Sequence, residues 1–100
     1  LENLVFVELR RRNEQIYYFR KTFECDFLIV RKNRVSLAIQ VTRKLNDENE
    51  KREIKGLLEV LKEHKLKEGI LLTEEQEEER IVEGKKIRII PLWKWLLEEK

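Results

Sequence analysis

Apolar positions along this 100-residue chain change their period from segment to segment, and each change marks an element. Leu1, Leu4 and Val5 fall at the spacing of one helical face, which predicts a first helix over Leu1–Arg12. Arg10–Arg12 would complement its dipole, and Asn13 suits a C-terminal cap. Val5-Phe6-Val7 would also fit a strand. Gln15-Ile16-Tyr17-Tyr18-Phe19-Arg20 is aromatic and β-branched and reads as a strand, with Lys21–Glu24 as the turn after it. Asp26–Val30 and Val35–Thr42 are apolar nearly throughout, joined by the polar turn Arg31-Lys32-Asn33-Arg34. The three strands predict an antiparallel meander covered on both faces.

Beyond Thr42 the period returns to that of a helix. Asn46 and Asp47 are expected to start it, with Asp47 and Glu50 as an acidic capping box. Ile54, Leu57, Leu58 and Leu61 give the apolar stripe, which ends near His64 and Lys65. Gly69–Thr73 is a short buried strand, and the helix before it permits a parallel crossover from the Val35 strand. Glu74–Arg80 reads as an acidic loop. Ile81-Val82, the turn Glu83-Gly84-Lys85 and Ile87–Ile90 form a closing hairpin, and Pro91 opens a last helix through Leu97 in the first-turn position that proline tolerates. The order is α-β-β-β-α-β with a further β and α. This is an α/β (α+β) class with helices on both sides of a mixed sheet, in one domain over residues 1–100.

Composition extends this picture. Charged residues make up 42% against about 25% in an average soluble domain, dominated by Lys and Glu, as in hyperthermophile proteins. The net charge of +2 does not announce a nucleic-acid binder, but basic residues crowd the first half while Glu74–Glu79 is acidic, which suits a polyanionic partner near the first half. A chain with one cysteine has no disulfide framework, and Cys25 reads as a small buried hydrophobe. No apolar run approaches the ~20 residues of a membrane span and no signal-peptide pattern precedes Leu1, so a cytoplasmic protein is expected. The start at Leu1 and the absence of Met suggest a piece of a longer chain.

Two strand residues carry candidate chemistry. Asp26 opens one strand, where a carboxylate can bind metal or simply take backbone hydrogen bonds in a turn. Gln40 stands inside an apolar strand, where a buried amide must find partners. Separated by fourteen positions, they can converge at one sheet edge. Glu2 and Glu8, six apart, fall on opposite sides of an ideal helix, so at most one points into a given site. His64 reads as a helix C-terminal residue. Of Trp93 and Trp95, two apart, one is expected in the core and the other against a neighbouring domain or a second copy.

The element order, the acid opening the second strand and the Gln-x-x element ending the third resemble the PD-(D/E)XK nuclease superfamily, which includes archaeal Holliday-junction resolvases. More narrowly, Glu2-Asn3-Leu4-Val5 with Glu8-Leu9-Arg10-Arg11, Tyr17-Tyr18-Phe19-Arg20, Asp26-Phe27-Leu28-Ile29, Ile39-Gln40-Val41 and Ile90–Leu96 are similar to the C-terminal domain of a family of archaeal and bacterial P-loop ATPases. The wider resemblance implies a restriction-endonuclease-like fold in which Asp26 and Gln40 hold Mg²⁺ and a first-helix acid, Glu2 or Glu8, assists phosphodiester cleavage. Thr42 departs from it, standing where such nucleases carry Lys. A hydroxyl cannot supply an ammonium beside a nucleophilic water, and Lys44, two residues on along an extended strand, is the one rescue.

Three functions follow as expectations. The first is a nuclease-like accessory domain of an ATPase that binds DNA through Arg10, Arg11, Arg12, Arg20, Arg43 and Lys44, with impaired or absent cleavage. An active Mg²⁺-dependent endonuclease using Asp26, Gln40, Lys44 and Glu2 or Glu8 is the second. The third is a protein-interaction module that docks the parent ATPase or forms a homodimer.

Overall fold

The computed structural model describes residues 2–20 and 24–98, apart from the side chains at 2, 17–20 and 24–26. Nine elements follow in order: α1 (Glu2–Arg11), β1 (Gln15–Arg20), β2 (Glu24–Arg31), β3 (Arg34–Val41), α2 (Glu50–Glu63), β4 (Glu68–Thr73), β5 (Glu78–Val82), β6 (Lys85–Pro91) and α3 (Leu92–Leu97). They build one six-stranded sheet in the order β1-β2-β3-β4-β6-β5. The meander β1-β2-β3 is antiparallel. Strands β3, β4 and β6 run parallel, and β5 pairs antiparallel with β6. The chain thus passes from β3 through α2 to the parallel β4, as a helix between two apolar strands predicts.

Alternation along β2 and β3 divides the core into two layers. Leu28 and Ala38 face α2 and pack with Leu57, Leu61 and Leu71. Phe27, Ile29 and Ile39 face the other way and pack with Val5 and Leu9 of α1 and Leu92 and Trp95 of α3. Helix α2 lies close on β4, because a Cβ at Gly69 would stand 3.0 Å from the Leu57 side chain. The β2–β3 hairpin closes on Lys32 and Asn33, both at positive φ (53° and 64°). That is the left-handed pair which a two-residue turn between right-twisted strands demands.

Four local expectations change. Strand β5 begins at Glu78, because its residues take the antiparallel ladder of β6 from Glu78↔Ile89 to Val82↔Lys85; three acidic-loop residues are therefore strand. The capping box lies one residue upstream of Asp47 and Glu50. Asn46 Oδ1 accepts from the backbone N–H of Glu48 (2.9 Å) and Asn49 (3.0 Å), and Asn49 Oδ1 accepts in return from Asn46 N–H (3.0 Å). Two short amides close this reciprocal pair. Strand β3 stops at Val41, yet Thr42 N–H still donates to Leu72 C=O (2.9 Å) and Arg43 C=O accepts from Glu74 N–H (3.0 Å), so the chain stays bonded to β4 up to the bend at Arg43. Pro91 ends β6 and caps α3 from outside, with extended φ/ψ of −64° and 141°. Positions 21–23 of the expected Lys21–Glu24 turn lie outside the described residues.

Candidate functional site

Gln40 sits on the α2 face of the sheet, paired with Leu71 of β4. It and Glu53 are both buried. Gln40 Nε2 donates to Glu53 Oε1 at 2.6 Å, and Arg52 Nη2, from an exposed side chain, donates to Glu53 Oε2 at 3.3 Å. The buried amide thus finds a carboxylate on the helix, a charge-assisted bond of the stronger kind. Glu53 is the residue that sequence reading missed. Its signal was the spacing Glu53-Leu57-Val60, an acid on the buried stripe of α2 four residues before a core leucine.

Asp26 precedes Phe27 in β2, Gln40 follows Ile39 in β3, and Phe27 pairs with Ile39. The two backbone positions therefore lie beside each other at one end of the β2–β3 ribbon, as the fourteen-residue separation implied. The Asp26 and Glu2 side chains lie outside the described residues.

Glu8 does not join this site. Helix α1 packs on the opposite layer, and Glu8 accepts from Arg11 (Nε 3.0 Å, Nη2 2.7 Å) and from Arg12 Nε (2.6 Å). The Arg11 guanidinium, joined by that of Arg12, holds the Glu8 carboxyl down at about 2, against the opposing effect of desolvation. Arg12 is nearly buried, with its guanidinium 4.5 Å from the Trp95 ring centroid and Nη2 donating to the carbonyls of Trp95 and Glu98, both at 3.1 Å. This clamp ties α1 to α3 and removes Arg12 from the surface on which a polyanion would lie. Arg10 is exposed beside the Phe6 ring. The Arg20 side chain lies outside the described residues.

Arg43 and Lys44 emerge past the end of β3. Together with Glu74, Glu75 and Gln76 they line an open cleft of about 310 Å³. Its floor is held by Gln76, whose side chain accepts from Leu45 N–H (2.7 Å) and donates to Leu45 C=O (3.0 Å), and by Thr73 Oγ1, which bonds both backbone groups of Gln76. Arg43 pairs with Glu74 at 2.7 Å. Regular strand ends at Val41 and the chain bends at Arg43, so the alternation that would aim Lys44 alongside Gln40 is broken before it.

Among the described residues no three of His, Cys, Asp and Glu converge as metal ligands. The Gln40 amide turns its NH₂ toward the Glu53 carboxylate, and the Asp26 side chain, the carboxylate that the resemblance assigns to Mg²⁺, lies outside the described residues.

No helix among the described residues is long and apolar enough to cross a membrane. No solved structure matches the chain. An uncharacterised protein of Methanocaldococcus jannaschii is 44% identical over an alignment that covers 97% of this chain and 24% of that protein, so the chain spans about a quarter of the relative's length. The family described as "Domain of unknown function (DUF4143)" matches residues 1–95. Both matches run through α1, the meander, the crossover and the closing hairpin, and the chain accordingly belongs to the DUF4143 family.

Proposed function

We propose that this chain is a nuclease-like accessory domain of a larger ATPase, one that contacts nucleic acid and does not cleave it. The observation that carries the reading is the Gln40–Glu53 bond. In the position where the nuclease resemblance puts a metal-binding acid, this chain has an amide whose NH₂ is engaged by a helix carboxylate inside the core. Thr42 in the lysine position, Glu8 engaged on the other layer and Lys44 beyond the end of β3 support loss of cleavage in the same direction. An accessory role is supported by the relative, in which the matching region is about a quarter of the chain.

The test is incubation with linear, single-stranded and four-way-junction DNA plus Mg²⁺ or Mn²⁺, beside a salt titration of binding. Binding that weakens steeply with salt, with intact DNA throughout, is expected. Cleavage that disappears in Asp26→Ala would replace this reading with that of an active endonuclease.

A second reading, a protein-docking module, draws on the exposed Trp93 and Leu97 of α3. Exposed large apolar side chains mark contact surfaces when they cluster. Salt-independent or undetectable DNA affinity, together with association with the remainder of the parent protein, would favour it.

A further inference from the structure

The two ends of the sheet differ in charge, and the basic end is not the end that carries Gln40. At the C-terminal ends of the parallel strands β3 and β4 stand exposed Asp47, Glu48, Glu74 and Glu75, which outnumber the two exposed cations there, Arg43, itself paired with Glu74, and Lys44. At the opposite end lies the β2–β3 turn, Arg31-Lys32-Asn33-Arg34, with no acid in it. The register Gln15↔Val30 brings the C-terminal turn of α1, with exposed Arg10, to this same end. The parallel pairing of β3 with β4 brings the start of β4 there too, and with it exposed Lys65 and Lys67.

The hairpin is built against its own electrostatics. Arg31 and Arg34 are direct cross-strand partners, and like charges placed opposite each other destabilise a strand pair. Glu14 answers Arg31 at 2.6 Å. Neither Lys32 nor Arg34 has an ion-pair partner among the described residues, although most other arginines of this chain do: Arg43 with Glu74, Arg80 with Glu50 and Glu78, Arg88 with Glu98. In a chain so rich in acids, Lys32 and Arg34 are thus left as two cations without an ion-pair partner among the described residues beside the paired Arg31, and a polyanion would offset their repulsion.

We propose that the Lys32–Arg34 hairpin tip, flanked by Arg10 and Lys65, is the phosphate-backbone contact surface for duplex DNA, at the end of the sheet remote from Gln40. The inference rests on the nucleic-acid reading above and locates it. Contacts of this kind read charge and not sequence, so binding should be uniform across duplexes and strongly salt-dependent. The acidic end repels the same backbone, which orients the domain with its hairpin toward the DNA.

The experiment measures affinity for a labelled duplex over a salt series with the wild-type chain, Lys32→Gln/Arg34→Gln and Arg43→Gln/Lys44→Gln. The hairpin double variant is expected to bind about tenfold more weakly near physiological salt and to reduce the salt slope by about 2, one per phosphate contact removed. The second double variant is expected to match wild type. Arg34→Glu adds a readout that a structural role would not produce: opposite Arg31 it should raise the Tm while lowering DNA affinity. Unchanged binding by both hairpin variants with loss in Arg43→Gln/Lys44→Gln overturns this location and leaves the nucleic-acid reading standing. Absence of salt-dependent binding by the wild-type chain overturns both.

Discussion

Gln40 of β3 and Glu53 of α2 hold each other across the sheet–helix interface, Nε2 to Oε1 at 2.6 Å, in a layer otherwise built from Leu28, Ala38, Leu57, Leu61 and Leu71. In such surroundings each member of the pair satisfies part of the other's hydrogen-bonding capacity. Glu53→Ala leaves the buried amide without this acceptor and is expected to cost about 1–3 kcal/mol, beyond any loss of packing. Replacing both residues with leucine removes the polar groups together and should destabilise far less than the sum of the single changes. Denaturant unfolding of the four members of that cycle measures the coupling; strictly additive effects would show that the two groups do not act as a pair.

Arg12 is the connection between the two helices of the other layer. Its Nε meets Glu8 while Nη2 reaches two carbonyls at the end of α3, and the guanidinium lies over Trp95. Arg12→Ala removes hydrogen bonds to a charged group together with the stacking, and about 2–3 kcal/mol of stability should go with them. Arg12→Lys keeps the charge and loses the planar fork, so it should fall nearer to Ala than to wild type. Thermal unfolding followed by Trp95 fluorescence in a Trp93→Phe background checks this. A Lys variant as stable as wild type would reduce the clamp to a simple charge effect.

Much of this architecture was legible because periodicity reports burial. Gln15–Arg20 came out with the same bounds in sequence and structure, and the α2 stripe Ile54-Leu57-Leu58-Leu61 is buried as its spacing requires. Trp95 is core and Trp93 exposed, which two positions on a helix could not both avoid. What sequence hid was three-dimensional partnership. Closeness in sequence put Arg10–Arg12 and Arg31–Arg34 near Gln40, whereas a strand eight residues long separates the ends of β3 by roughly 23 Å at 3.3 Å per residue. Glu53 was passed over because an acid on a helix normally reads as solvated, and Glu8 was offered to a site from which the sheet itself separates it.

The start of α2 gives a prediction in which sequence and structure disagree. Asn46 and Asn49 exchange side-chain bonds with each other's backbone, and Asn49 Nδ2 also donates to Lys44 C=O at 2.8 Å. Asn46→Ala removes two acceptor contacts to orphan N–H groups and is expected to cost about 1 kcal/mol, within the range for caps. Asp47→Ala should lie within about 0.5 kcal/mol of wild type, as an exposed position outside the cap. Chemical denaturation of both distinguishes the two assignments, and the reverse ranking would restore Asp47 as the cap.

Glu8 gives the pH dependence. Its hydrogen bonds from Arg11, the largest cause, and from Arg12 hold the folded carboxyl at about 2, below its usual 4.5. A carboxylate whose pKa is depressed by folding binds protons more readily when unfolded. Its contribution is therefore complete above the unfolded value, and it declines as pH falls through the window from 4.5 to about 2. Glu8→Gln should consequently be less stable than wild type by a constant margin at neutral pH, and the two should converge as pH falls through that window. Taking the difference between the two proteins cancels the titration of the other carboxylates, including Glu78, which Arg80 holds low by a similar bond. Arg11→Ala should narrow the window from its acid side, because it removes the largest source of the depression, while added salt should narrow it less than it would for a fully exposed pair, since Arg12 is shielded beneath Trp95. Tm values collected from pH 7 to pH 2 test the point. A wild-type to Glu8→Gln difference that stays flat across the whole range would mean that Glu8 is not held by its arginines.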